Sequence, residues 1–141
     1  MKKEVELNFR TYSDENIGSL SFFESKHDVP FNIQRIYFVY HVPLEKRRGY
    51  HAHKDLQQVL WCPYGEIEVI LDDGNSKSKY ILNSPEKALL VLRGIWHEMI
   101  WKKENSVLCV AASDFYNEKD YIRDYAEFLN YKRKGYWKNE N

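Results

Sequence analysis

Two histidines one residue apart, in Gly49-Tyr50-His51-Ala52-His53, are the most chemically suggestive feature of this sequence. On a β-strand, side chains at i and i+2 point to one face, roughly 6.5–7 Å apart along the chain, so both imidazoles would look into one space. Gln58 follows five residues after His53, and Gly94-Ile95-Trp96-His97 ends on a third histidine. Histidine takes up and releases a proton near neutrality without a large pKa shift. A pair on one face therefore suits withdrawal of a proton from one atom and its return to a neighbour. Three imidazoles with an amide could also hold a divalent metal. A neutral amide, however, is a poorer ligand than a carboxylate, so the expected site binds no metal. Taken alone, an HxH pair is more often two ordinary strand residues. Its flanks, Arg48-Gly49 before it and Gln58 and His97 after it, favour the functional reading. His97 alone is balanced between a pocket-wall residue and a structural hydrogen-bonder.

Strands must hold these residues. Val5, Leu7 and Phe9 alternate with polar residues, and Leu20–Glu24 follows Gly18 as a second short candidate. Within Ile33–His41, Arg35, Tyr37 and Val39 share one face and Ile36, Phe38 and Tyr40 the other. Arg48–Lys54 and Gln57–Cys62 come next. Ile67, Val69 and Leu71 then lead into the hairpin signal Asp72-Asp73-Gly74-Asn75. Lys79–Leu82, Ala88–Leu92, His97–Trp101 and Val107–Ser113 complete nine or ten strands, the pattern of an all-β barrel or sandwich. Only the C-terminal part has helical spacing, in Tyr121, Ile122, Tyr125, Phe128 and Leu129. Asn117 is available as an N-cap, which predicts a helix over about 118–131. The basic stretch Lys132–Lys138 reads as a solvated polar tail, and Trp137 as packing.

The chain has 141 residues, 21 basic and 21 acidic side chains, and few, scattered Gly and Pro, which predicts one domain over 1–141 with a barrel at about 4–115. Zero formal charge argues against nucleic acid or an acidic membrane surface as partner. The longest apolar run, Val107–Ala112, is too short to span a bilayer, and nothing apolar follows the first lysines as in a secretory signal. Cys62 and Cys109 lie in apolar strands and suit a reducing compartment, so a cytoplasmic location is expected. His27 and His41 lie beside loop-like stretches and read as solvated.

The spacing of His51, His53, Gln58 and His97 resembles the two motifs of the cupins, jelly-roll barrels with a histidine-lined interior. A nearer resemblance is to the WxcM-like sugar 3,4-ketoisomerases. It is carried by Arg48-Gly49-Tyr50-His51-Ala52-His53-Lys54, Gln58-Val59-Leu60, Leu71-Asp72-Asp73-Gly74, Trp96-His97-Glu98-Met99, Ala112-Ser113-Asp114-Phe115-Tyr116 and Asp120-Tyr121-Ile122-Arg123. The resemblance implies an all-β cupin jelly roll with a C-terminal α-helix. It also implies conversion of dTDP-4-keto-6-deoxy-D-glucose to a dTDP-3-keto-6-deoxyhexose, ahead of amination to a 3-amino-3,6-dideoxy sugar for surface polysaccharide. No cofactor is implied. His51 and His53 are then the acid–base pair, and Arg35, Tyr37, Arg48, Gln58 and His97 are expected to bind substrate. A homodimer with exchanged N-terminal strands is the implied assembly. Two histidines on one side of the sugar favour same-face proton transfer and hence the galacto product. Metal-dependent cupin chemistry, deoxysugar 3,5-epimerisation and non-enzymatic sugar binding are the competing readings.

Overall fold

The computed structural model describes residues 5–138. The barrel edge expected at residue 4 and the last residues of the tail lie outside them. Two five-stranded antiparallel sheets face each other as a cupin jelly roll. One runs β1 (Glu6–Asn8), β9 (Lys87–Val91), β6 (Gln58–Tyr64), β11 (Val107–Ala112), β4 (Arg35–Val39). The other runs β12 (Tyr121–Ile122), β5 (Arg47–His53), β10 (Trp96–Trp101), β7 (Ile67–Asp72), β8 (Lys77–Leu82). A separate hairpin, β2 (Arg10–Asp14) with β3 (Gly18–Phe22), joins neither sheet.

Alternation along each strand decides what fills the interior. Leu60, Cys62, Leu89, Val91, Leu108 and Val110 of the first sheet meet Ile67, Val69, Leu71, Met99 and Trp101 of the second in one buried cluster. Each such aliphatic side chain contributes about 1.5–3 kcal/mol by leaving water. The outer face of the first sheet, at Val59, Ala88 and Leu90, is covered by Phe9, Val29 and Phe31. The outer face of the second is covered by α1 (Tyr125–Arg133), through Ala52, Trp96, Ile122, Phe128 and Trp137. The Asp72–Asn75 hairpin forms as expected between β7 and β8, with Asp73 N–H donating to the Ser76 carbonyl.

The C-terminal region departs from the expected helix over about 118–131. Asn117 does cap a helix, but a single 3₁₀ turn at Glu118–Asp120. Tyr121 and Ile122 then pair with His53 and Ala52 as a short strand. The α-helix begins only at Tyr125, where the Asp124 carboxylate accepts from the N–H groups of Ala126 and Glu127. Ile122 fits helical spacing, yet it is buried as a strand residue because β5 has a free edge there. The tail is not uniformly solvated either. Trp137 is buried, its Nε1–H donates to the Lys54 carbonyl at 2.9 Å, and its ring lies where a side chain on Gly94 (φ +75°) would collide.

Candidate active site

β5 carries the site, and its geometry depends on an irregularity. Gly49 (φ +98°) and Tyr50 (φ +60°) both lie in the left-handed region, and the β5–β10 register slips between His97 and Glu98. This β-bulge lets His51 stand directly opposite His97. A Cβ on Gly49 would sit 2.7 Å from the His97 carbonyl oxygen, so only glycine fits the close strand approach. Beyond the bulge the strand resumes its pleat: His51 and His53 face inward, while Ala52 between them is fully buried under α1.

Three imidazoles meet on this wall. Ring centroids are 5.0 Å apart for His51–His53, 4.5 Å for His51–His97 and 5.7 Å for His53–His97. His53 and His97 are buried and His51 is half-buried. Every Nδ1 is occupied at 3.0 Å: His51 by the Gly49 carbonyl, His97 by the Ile95 carbonyl, His53 by Asp120 Oδ2. Carbonyl and carboxylate oxygens only accept, so each Nδ1 carries a hydrogen. The Nε2 of His53 is buried with no partner in the described structure. Burial, reinforced by its neighbour His53, pushes the His51 imidazole down to about 4. Burial likewise holds His97 well below the ordinary histidine value. Both stay neutral at pH 7. Asp120 lies below its ordinary value despite the opposing effect of burial, because His53 and the N–H groups of Asp55 and Leu56 donate to it.

The facing sheet supplies the other wall. Gln58 is buried, and its Nε2–H donates to the Tyr37 hydroxyl at 2.9 Å. Tyr37 is pushed up to about 12, chiefly by burial, so it remains a phenol with its own O–H available to donate. Arg35 lies with its guanidinium 5.1 Å from the Tyr37 ring and 5.7 Å from that of Tyr116. Arg48 is exposed on β5, near enough for its charge to act on the Tyr37 hydroxyl. All seven residues expected at the site therefore belong to one inward-facing region and its rim. His27 and His41 are exposed, as expected.

Two residues without an expected role join them. Asp120 orients His53. Tyr121 pairs with His53 across the β5 edge and packs its ring 5.0 Å from that of His51 and 4.5 Å from that of His53. Arg123 in turn lies 4.2 Å from the Tyr121 ring and is held by Glu118. Both residues come from a segment 67 positions beyond His53, and no local spacing connects them to it.

A sequence model of the family described as FdtA, WxcM-like, C-terminal, matches residues 3–133. The TDP-4-oxo-6-deoxy-alpha-D-glucose-3,4-oxoisomerase of Aneurinibacillus thermoaerophilus is 44% identical over 125 residues, 89% of each chain. The sugar 3,4-ketoisomerase QdtA of Thermoanaerobacterium thermosaccharolyticum, solved in complex with TDP, superposes with a TM-score of 0.87 at 36% identity, covering 92% of this chain and 93% of that one. The TDP-quinovose 3,4-ketoisomerase WlaRB of Campylobacter jejuni gives a TM-score of 0.84 at 42% identity, covering 89% and 95%.

Proposed function

Since the chain belongs to the FdtA, WxcM-like family of sugar 3,4-ketoisomerases, we propose that it converts TDP-4-keto-6-deoxy-D-glucose to a TDP-3-keto-6-deoxyhexose by proton transfer between histidines and the sugar. The observation that carries this reading is the cluster of His51, His53 and His97, with ring centroids 4.5–5.7 Å apart and each Nδ1 satisfied, so that Nε2 is the ring nitrogen left for substrate.

The chemistry follows from those positions. The C3 hydrogen of the substrate is acidified by the C4 carbonyl. Its removal by an imidazole leaves an imidazolium and an enediolate with its charge on O4; the hydroxyl proton then passes from O3 to O4, and C4 takes the proton back from the imidazolium as the C3 carbonyl forms. His53 is the imidazole built to carry the resulting positive charge, because the Asp120 carboxylate sits on its Nδ1–H. His51, desolvated and without a carboxylate, rests neutral and relays the hydroxyl proton, accepting it from O3 and giving it up to O4. The Tyr37 O–H steadies charge on O3 or O4, with its acceptor position taken by Gln58. His97 completes the wall, and Arg35 and Arg48 bind the diphosphate.

Stereochemistry follows from the wall being one-sided. All three imidazoles stand on the β5–β10 sheet, so C3 loses and C4 gains hydrogen on one face of the ring. That outcome leaves the C4 hydroxyl axial, the galacto product. WlaRB is named for the gluco series, so the stereochemical proposal rests on this site's geometry alone. The product would then go to an aminotransferase that makes a 3-amino-3,6-dideoxy sugar.

A second copy of the chain is the proposed partner. Ile36 and Phe38 of β4, and Tyr40 just past its end, are more than half exposed, and so are Tyr12 and Leu20 of the hairpin. Between hairpin and sheet lies a groove of roughly 880 Å³ lined by Phe22, Phe23, Ile33, Ile36 and Trp61. β4 is the outer strand of its sheet. An apolar face beside an open strand edge suits a homodimer with exchanged N-terminal strands. No helix among the described residues is long and apolar enough to cross a membrane.

The deciding experiment is incubation of chelator-treated protein with TDP-4-keto-6-deoxyglucose, followed by NMR of the product. A ketone moved to C3 with an axial C4 hydroxyl is expected. A ketone still at C4 with C5 inverted would mean epimerase chemistry, and an equatorial C4 hydroxyl would overturn the same-face transfer.

A further inference from the structure

We propose that Trp137 is a positioning residue for the isomerisation, and that the tail beyond α1 braces His53 through the Lys54 carbonyl and Gly94. The match to the family model ends at residue 133, so the brace lies past the part of the chain that identifies the family. The inference rests on the proton-transfer reading above, because His53 is the residue held.

The path of the tail is set locally. Gly135 (φ +71°) closes α1 in a Schellman turn: its N–H donates to the Lys132 carbonyl at 3.0 Å, and the Tyr136 N–H donates to the Tyr131 carbonyl at 3.1 Å. The chain thereby doubles back, and the Trp137 ring enters the cluster of Ala52, Trp96, Ile122 and Phe128 on the outer face of β5. Tyr131 and Tyr136 pack against it with centroids 5.7 and 5.2 Å away, and the Lys132 ammonium lies 5.2 Å from its ring centroid. A ring fixed by this many neighbours holds its N–H in one direction.

That direction leads to the backbone of the site. β5 ends at His53, so the Lys54 carbonyl lies past the strand, and the Trp137 Nε1–H donates to it at 2.9 Å. The Gly94 N–H donates to the His53 carbonyl at 2.9 Å, and the Trp137 ring fills the space where a Cβ on Gly94 would stand 2.5 Å from Cδ2. On the other edge of β5 the Lys54 N–H donates to the Asp120 carbonyl at 2.9 Å, and the Asp120 carboxylate receives the His53 Nδ1–H. His53 and Lys54 are thus held from both edges, by Asp120 beside β12 and by Trp137 with Gly94 beside β10. Gly94 leads through Ile95 into His97, whose Nδ1–H donates to the Ile95 carbonyl, so the same indole is wedged where β5 and β10 bring their imidazoles together. A misplacement of about 1 Å can cost about 100-fold in rate even when its cause is remote from the chemistry. Releasing one of these holds and leaving the others should cost less.

Trp137→Phe tests the brace, since it keeps a ring in the cluster and removes the N–H. Its kcat should fall three- to tenfold with KM within twofold of native. In ¹⁵N-histidine spectra the His53 Nδ1–H signal, identified by its loss in His53→Asn, should move. Leu129→Ala truncates the same apolar cluster at a side chain with no polar atom. It should lower the melting temperature at least as much as Trp137→Phe, yet leave kcat and the His53 signal at their native values. An equal loss of kcat in Leu129→Ala would reduce Trp137 to packing and overturn the proposal. If Trp137→Phe does not fold, hydrogen exchange in the native protein decides. The Trp137 Nε1–H and the Gly94 N–H should then show protection factors within tenfold of each other, and a larger gap would overturn the brace. A folded Trp137→Phe with native kcat and an unmoved His53 signal would also overturn it and leave the isomerase reading standing. Native turnover in His53→Asn would instead overturn proton transfer at His53, and with it any catalytic part for the brace, whatever the spectra of Trp137→Phe show.

Discussion

The inner wall of β5–β10 and the outer face of β4 solve opposite problems. On the wall, three polar rings are withdrawn from water, and each has one nitrogen satisfied by a fixed acceptor. On the outer face of β4 and just past its end, aromatic rings stand exposed among the described residues: Phe38 is 58% exposed and Tyr40 54%. Buried polar groups cost free energy unless they are bonded, and the wall meets that demand at each Nδ1 while leaving the buried His53 Nε2 without a partner in the described structure. Exposed apolar surface costs free energy until something covers it, so the outer face is where the proposed second copy would seat. The proposed proton transfer and the proposed association thus fall on different faces of one barrel, and changes to each should separate.

The largest effect should come from the wall. His53→Asn and His51→Asn each remove a proton carrier at nearly constant volume, and turnover should fall by two to four orders of magnitude. Circular dichroism and melting temperature should stay close to the native values. Retention of more than a tenth of the native rate by either variant would remove the histidine pair from the chemistry. The matching change on the outer face is Phe38→Lys, which places a charge on the exposed apolar strand. Equilibrium sedimentation should show self-association weakened about a hundredfold, consistent with loss of a buried aromatic anchor. Isolated monomers should keep their His51 and His53 geometry. An unchanged sedimenting mass would show that β4 is not the interface.

Asp120 offers a smaller and sharper test of the wall. Asp120→Asn keeps the shape but removes the charge facing the His53 Nδ1–H. Loss of such an outer partner typically costs 10–100-fold in activity, so kcat should fall by that factor while KM moves little. The same variant also tests the division of labour between the rings. If His51, not His53, carries the positive charge, kcat should hardly change.

These residues differ in how far the sequence disclosed them. His51 and His53 were legible because strand period two places both on one face and Gln58 and His97 recur at family spacing. Arg35 and Tyr37 were assigned to one face of β4 by alternation, and they do share it. The bulge at Gly49-Tyr50 was not legible: it depends on positive φ at a tyrosine and on how closely β10 approaches. Nor was Asp120 as a partner of His53, since 67 residues separate them and only the return of β12 to the β5 edge joins them. The helix starts later than its spacing predicts for a related reason. Tyr121 and Ile122 fit a helical period, but tertiary pairing with His53 and Ala52 overrode it. The basic stretch around Trp137 predicts a solvated tail, because charge does not reveal that one indole has a carbonyl to reach on Lys54.

The smallest effect concerns stability, and it also distinguishes the two faces. His51 is held down to about 4 in the folded protein, and burial lowers His97 as well, whereas an unfolded histidine titrates near 6.5. Between pH 6.5 and 4 the unfolded chain therefore binds more protons than the folded one, and stability must fall as the pH is lowered through that window. For His51 the loss from pH 7 to pH 5 is on the order of 1–2 kcal/mol, with His97 adding in the same direction. Carboxylates do not confound the window. Glu118, held at about 2 by Arg123, and Asp73, held at about 2 by backbone N–H groups, lose their contributions only at lower pH. Urea denaturation at pH 7 and pH 5 should accordingly show a lower midpoint at pH 5, and His97→Gln should reduce the difference. Phe38→Lys, on the face that carries no buried titrating group, should leave the pH dependence of the monomer as it is. Identical midpoints at both pH values would mean that water reaches the three rings. The wall would then share the solvation of the outer face, and the contrast between them would be lost.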